Sequence, residues 1–130
     1  MKPRILVVDD EESIREFLEI MLKKEGYDIT CAEDGKAAQE LLKKKTFDME
    51  ISDMQMPNMT GMELLKHVKD ISPEILFMMI TAFGTAETAV EAMKIGAYDY
   101  ITKPFKIDEV RINIANALRS KSLEFENRTL

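Results

Sequence analysis

Two hydrophobic rhythms alternate along the chain. Short apolar runs stand at 5–8, 29–32, 49–52, 75–80 and 97–101. Between them lie longer stretches whose apolar residues fall three and four apart. Ile14, Phe17, Leu18, Met21 and Leu22 form the first, and Ala37, Ala38, Leu41 and Leu42 the second. Met62, Leu65 and Val68 follow, then Ala86, Ala89, Val90 and Met93, then Val110, Ile114, Ala117 and Leu118. The short runs read as strands, and the wider spacing puts one face of a helix on a core. Five strands alternating with five helices predict an α/β fold. Runs one, three and four have few polar interruptions, as strands covered on both faces do. Right-handed crossovers then give an open, doubly wound parallel sheet with five flanking helices.

Punctuation supports this division. Gly26 and Gly96 each follow a helical stretch, where a helix end uses a residue at positive φ. Ser72-Pro73 ends the third helix. Thr85 caps the fourth, but Thr88 stands where a capping box calls for Glu or Gln, so the full box is expected to be missing. Asp108 and Glu109 fall in the first turn of the fifth helix, where its dipole favours acids.

Composition narrows the possible functions. The 130 residues suit one domain, and 45% hydrophobic content is ample for its core. One cysteine, Cys31, excludes an intrachain disulfide framework, and one histidine, His67, makes a histidine metal site or a Ser/His triad hard to build. Cys31 is expected in the core and His67 on an exposed helix face. A net charge of −6 argues against direct nucleic-acid binding by this segment. The run 5–8 is too short for a signal peptide, and no window reaches a membrane span. A cytoplasmic protein without membrane partners is the expectation.

The candidate chemistry lies at strand ends, where open α/β sheets collect ligands. Run one leads into Asp9-Asp10, run three into Asp53, run four into Thr81, and run five into Thr102-Lys103-Pro104. Each residue alone has an ordinary structural reading as a cap, a turn residue or a solvated charge. Together they place three carboxylates, a hydroxyl and an ammonium on one edge. Clustered carboxylates repel unless positive charge joins them. Lys103 supplies one charge, and oxygen-only ligands suit Mg2+. A carboxylate so placed can attack phosphorus to form an acyl phosphate, with Lys103 and Thr81 stabilising the transferring group.

These residues resemble a known family. Val7-Val8-Asp9-Asp10-Glu11, Asp53-Met54-Gln55-Met56-Pro57 with Gly61, Ile80-Thr81-Ala82 and Lys103-Pro104-Phe105 are similar to the signature of two-component response-regulator receiver domains. The resemblance covers about residues 4–119. It implies the flavodoxin-like sheet, order 2-1-3-4-5, with 1–119 as the receiver. It implies Asp53 as acceptor of a phosphoryl group from a sensor histidine kinase. Mg2+ would be held by Asp10, Asp53 and the Met54 backbone carbonyl, with Asp9 acting mainly through water. Lys103, Thr81 and the Ala82 N–H would bind the phosphoryl group. Tyr100 matches the aromatic switch position and would turn inward as Thr81 moves toward the phosphate. Gln55 and Phe83 match positions that tune dephosphorylation.

The stretches 81–94 and 96–100 are similar to receivers of nitrogen-regulation-type, sigma-54-dependent activators. Residues 120–130, with Leu123, Phe125 and Leu130, either extend the fifth helix or begin a linker to an output domain beyond Leu130. A free-standing receiver acting by protein–protein interaction is the alternative. A homodimer through the fourth helix, fifth strand and fifth helix, or through the extension, is a further expectation. Rival readings fit less well. An aspartyl phosphatase often has a second Asp where Gln55 stands, and a nucleotide-binding module needs a Gly-rich loop where Glu11-Glu12-Ser13 stands. One residue departs from the pattern. Glu50 falls inside the third run, where an aliphatic residue is implied, so it must find a partner, reach solvent or lie on a less covered face.

Overall fold

The computed structural model describes residues 2–82 and 84–129, with side-chain environments as far as Leu123. Its elements run β1 (Arg4–Val8), α1 (Glu12–Lys24), β2 (Asp28–Ala32), α2 (Gly35–Lys44), β3 (Met49–Ser52), α3 (Gly61–Ile71), β4 (Leu76–Thr81), α4 (Ala86–Ile95), β5 (Asp99–Thr102) and α5 (Ile107–Thr129). The five strands form one sheet in the order β2-β1-β3-β4-β5. Every pairing is parallel, so every carboxyl end reaches the same edge.

Side-chain alternation along the strands builds two cores. Leu6, Val8, Phe77 and Met79 point to one face, where Ala38, Leu64, Leu65, Val68 and Ala92 of α2, α3 and α4 cover them. Ile5, Val7, Ile51, Met78 and Ile80 point to the other, under Leu18 and Leu22 of α1 and Val110, Ile114 and Ala117 of α5. A period of two along each strand thus meets a period near 3.6 along each helix. The central strands are buried on both faces, as their uninterrupted apolar runs require. Cys31 and His67 are both half-buried. Cys31 packs at the margin of the second core.

Three local expectations change. The α4 capping box is complete. Thr85 Oγ1 accepts the Thr88 N–H at 3.1 Å, and Thr88 Oγ1 accepts the Thr85 N–H at 2.9 Å. A threonine hydroxyl has the acceptor that the usual Glu or Gln supplies. β5 begins at Asp99, later than the apolar run, because Ala97 N–H still bonds to Ala92 of α4 at 3.0 Å. Gly96 makes that turn at φ 127°. Glu50 finds none of the three accommodations expected for it. It is fully buried between Leu6 of β1 and Phe77 of β4, and neither carboxyl oxygen has a hydrogen-bond partner among the described residues. Burial pushes its carboxyl up to about 8, which keeps it a neutral acid at pH 7.

α5 continues through 119–120 as one helix. Lys121 holds the start of the extension to the base of the sheet, its Nζ donating to the Asp48 carbonyl at 3.2 Å. The environments of Phe125 and Leu130 lie outside the described residues. No helix among the described residues is long and apolar enough to cross a membrane.

Candidate phosphoryl-transfer site

The sheet's hydrogen bonding continues one residue past the strands and sets the site. Asp9 N–H bonds to the Ala32 carbonyl at 3.2 Å, Asp53 N–H to Val8 at 2.9 Å, and Lys103 N–H to Thr81 at 2.8 Å. Each functional side chain therefore leaves a backbone already fixed to its neighbour. Asp9, Asp10 and Asp53 each bring a carboxylate oxygen within 4.8 Å of the others'. Asp9 and Asp53 are buried, whereas Asp10 is exposed.

Lys103 crosses this cluster. Its Nζ donates to Asp9 Oδ2 at 2.9 Å and to Asp53 Oδ2 at 3.4 Å, with Glu11 Oε1 at 3.8 Å. Burial works to lower the ammonium, but the three acids outweigh it and hold Lys103 above the ordinary lysine range. Burial also raises the Asp9 carboxyl, against the Glu11 N–H and Lys103, which favour its charged form. Asp9 is thus spoken for on both oxygens, since Oδ1 accepts the Glu11 N–H at 2.9 Å. Asp53 Oδ1 accepts the Met54 N–H at 2.7 Å. Its Oδ2 faces Lys103.

Two further residues shape this edge. The Met54 carbonyl accepts the Gly61 N–H at 2.7 Å and keeps a second lone pair. A Cβ on Gly61 would lie 2.3 Å from the Asp53 carbonyl oxygen, so the start of α3 approaches the site only because this residue is glycine. Thr81 is fully buried at the end of β4, and Ala82 beside it is exposed. Phe83 lies outside the described residues. Tyr100 is half-buried and packs on the first core, with its hydroxyl 3.9 Å from Met54 Sδ and 3.1 Å from Thr88 Oγ1. An open cleft of about 860 Å3 runs from Asp10 and Asp53 past Gln55 and Lys66 to Thr88.

The strand-end reading of the sequence brought Asp9, Asp10, Asp53 and Lys103 together, and the structure does the same. It missed Gly84 and Thr88, which both touch Tyr100. The signal for Thr88 was its spacing from Thr85, read there only as an incomplete cap.

The pattern of the response regulator receiver domain matches residues 5–115. The chain belongs to the response-regulator receiver family. Response regulator protein PilR of Pseudomonas aeruginosa is 39% identical over 96% of this receiver, which spans 28% of PilR. Sporulation initiation phosphotransferase F of Bacillus subtilis is 37% identical over 94% of this receiver and 98% of its own length. Among solved structures, the beryllofluoride-activated NtrC4 receiver domain dimer is 36% identical, with a TM-score of 0.87 over 91% of this chain and 98% of that one. The receiver therefore spans little more than a quarter of PilR and nearly all of the sporulation protein.

Proposed function

We propose that this receiver takes a phosphoryl group on Asp53 from the phosphohistidine of a sensor histidine kinase and switches conformation as a result. Asp53 Oδ2 attacks phosphorus, a new O–P bond forms as the N–P bond breaks, and the electron pair returns to the imidazole nitrogen. The product is an acyl phosphate. The supporting observation is Lys103, whose ammonium sits between Asp9 and Asp53 where charge builds on the phosphoryl oxygens. Thr81 donates a hydrogen bond to that group, and the Ala82 N–H donates another. The acyl phosphate forms and later hydrolyses within the chain itself, with no turnover of a small-molecule substrate.

The donor set suits Mg2+, because carboxylate oxygens gather there with the Lys103 ammonium only partly offsetting them. Asp10, Asp53 and the Met54 carbonyl would hold the ion, with Asp9 acting mainly through water. When bound, it supplies charge neutralisation for the incoming phosphoryl group.

Intact-mass measurement tests the reading. The wild type is expected to gain one phosphoryl group from acetyl phosphate with Mg2+, and Asp53→Asn none. Equal gain in both moves the acceptor elsewhere, and no gain in the wild type removes the function.

Residues 1–119 act as the receiver, and 120–130 begin the linker of a longer, cytoplasmic, sigma-54-type activator. This rests on the similarity to PilR, of which the chain spans a minor part. The match to nearly all of the sporulation protein supports a second reading, a free-standing receiver. In either case α4, the turn before β5 and α5 present Val90, Met93, Tyr98 and Ile112 to solvent. A second copy covers this face after phosphorylation. Sedimentation of the phosphodonor-treated chain should show a dimer, and Met93→Glu should return it to monomer. A wild type that stays monomeric removes the dimer.

A further inference from the structure

Tyr100 is held by a residue that the switch reading does not assign. We propose that Thr88 is a positioning residue of the switch, its hydroxyl latching Tyr100 to the first turn of α4. Turning of the ring and loss of a bond at the Thr88 hydroxyl, which also closes the α4 cap, are then one event.

The hydroxyl count supports the latch. Thr88 Oγ1 has one proton and two lone pairs. The Thr85 N–H occupies one lone pair at 2.9 Å. The Thr85 carbonyl, at 3.0 Å, can only accept, so it takes the proton. One lone pair remains for two neighbouring hydroxyls, Tyr100 at 3.1 Å and Thr85 at 3.2 Å. Thr85 is exposed and can direct its proton to water. Tyr100 is half-buried, and its other partner is the Met54 sulfur, a weak acceptor at 3.9 Å. Tyr100 therefore donates to Thr88, and a departing ring leaves the Thr88 hydroxyl that closes the cap one bond short.

The ring also closes against its surroundings. A Cβ on Gly84 would lie 2.4 Å from the Tyr100 hydroxyl and 2.8 Å from its Cε1, so the loop after Thr81 leaves room for the ring only as glycine. Met54 also reaches the Tyr100 hydroxyl with its sulfur, while its N–H holds Asp53 Oδ1. Tyr100 thus touches a residue bonded to Asp53, the loop after Thr81, and α4. Thr88 is the one of these contacts that belongs to the helix whose outer face carries Val90 and Met93. The latch rests on the proposed phosphoacceptor reading only for its connection to Asp53.

The test uses the chain labelled with 3-fluorotyrosine, whose three tyrosines give three 19F resonances. Tyr100→Phe assigns one of them. Without phosphodonor or Mg2+, Thr88→Val is expected to move the Tyr100 resonance toward its solvent-exposed position, while Tyr27 and Tyr98 stay in place. Thr88→Ser keeps the wild-type position, and Gly84→Ala displaces the ring with the hydroxyl present. An unmoved Tyr100 resonance in Thr88→Val overturns the latch, as does a serine variant that behaves like valine. The reciprocal arm needs no change at Thr88. Hydrogen exchange at the Thr85 and Ala89 amides should quicken about fivefold in Tyr100→Phe, the effect of one hydrogen bond, and unchanged exchange overturns the proposal. Phosphoryl uptake is measured separately by mass. Failure there removes the Asp53 reading and leaves the latch judged by these spectra.

Discussion

Lys103→Met is expected to slow phosphoryl uptake at Asp53 from a small phosphodonor by about 100-fold or more, the usual effect of removing one charge-stabilising donor. The same substitution should destabilise the fold by a few kcal/mol near neutral pH, since breaking a buried ion pair typically costs about 3–5 kcal/mol. The Lys103 side chain is 11% exposed, and those of Asp9 and Asp53 are 3% and 5% exposed. Methionine keeps most of the stem packing and removes only the charge. What remains is a pair of buried carboxylates beside exposed Asp10.

A second substitution separates the two effects. In Lys103→Met with Asp9→Asn, one uncompensated charge is gone, while the amide oxygen can still accept the Glu11 N–H. Stability measured by urea unfolding should recover most of its loss, and uptake should not. If the single variant keeps uptake within a few-fold of wild type, Lys103 is not part of the phosphoryl site. If the double variant stays as unstable as the single one, packing rather than charge explains the loss.

The site could be read early because its residues follow directly from the strand rhythm. Asp9, Asp53 and Lys103 each come one residue after a strand, and a parallel sheet carries all such positions to one edge. Periodicity carries no information about which side chains meet. It could not show that Lys103 lies closer to Asp9 than to Asp53, or that both Asp9 oxygens are engaged. Ala97 extended the fifth run because it is apolar, yet its hydrogen bond belongs to the end of α4. Thr88 was measured against a template that expects Glu or Gln, while its contact with Tyr100 joins positions twelve residues apart. Glu50 stood out in the sequence as a polar residue in a buried strand. Whether a partner reaches it depends on what crosses the sheet beside it, and there the register places Leu6 and Phe77.

Glu50 adds a pH dependence to stability across the neutral range, and its replacement should remove that part. Its carboxyl ordinarily titrates near 4.5 and is held at about 8 in the fold. Burial is the cause, and no charged group among the described residues adds to it. The folded chain therefore keeps a proton that the unfolded chain releases. Where the native state binds more protons, stability falls as pH rises. Glu50's contribution is fully present below about pH 4.5, declines through the neutral range, and is lost as pH passes 8. Each pH unit across that window is worth about 1.4 kcal/mol, so the complete effect reaches several kcal/mol.

Glu50→Met removes the titrating group at similar length, and methionine adapts well to an apolar site. The variant should unfold at higher urea than wild type at pH 7.5, and its advantage should widen between pH 5 and pH 8. Glu50→Gln separates charge from polarity. It cannot ionise, so its pH profile should flatten like that of the methionine variant, while its unpaired amide leaves it less stable than methionine. A wild-type profile that stays parallel to Glu50→Met across this range would mean that the carboxyl finds a partner or water in the fold. Asp9 provides the internal contrast. Burial raises that carboxyl as well, but it keeps the Glu11 N–H and Lys103 as partners. Glu50 has the same chemistry without a partner among the described residues, and proton uptake is how it sheds a buried charge.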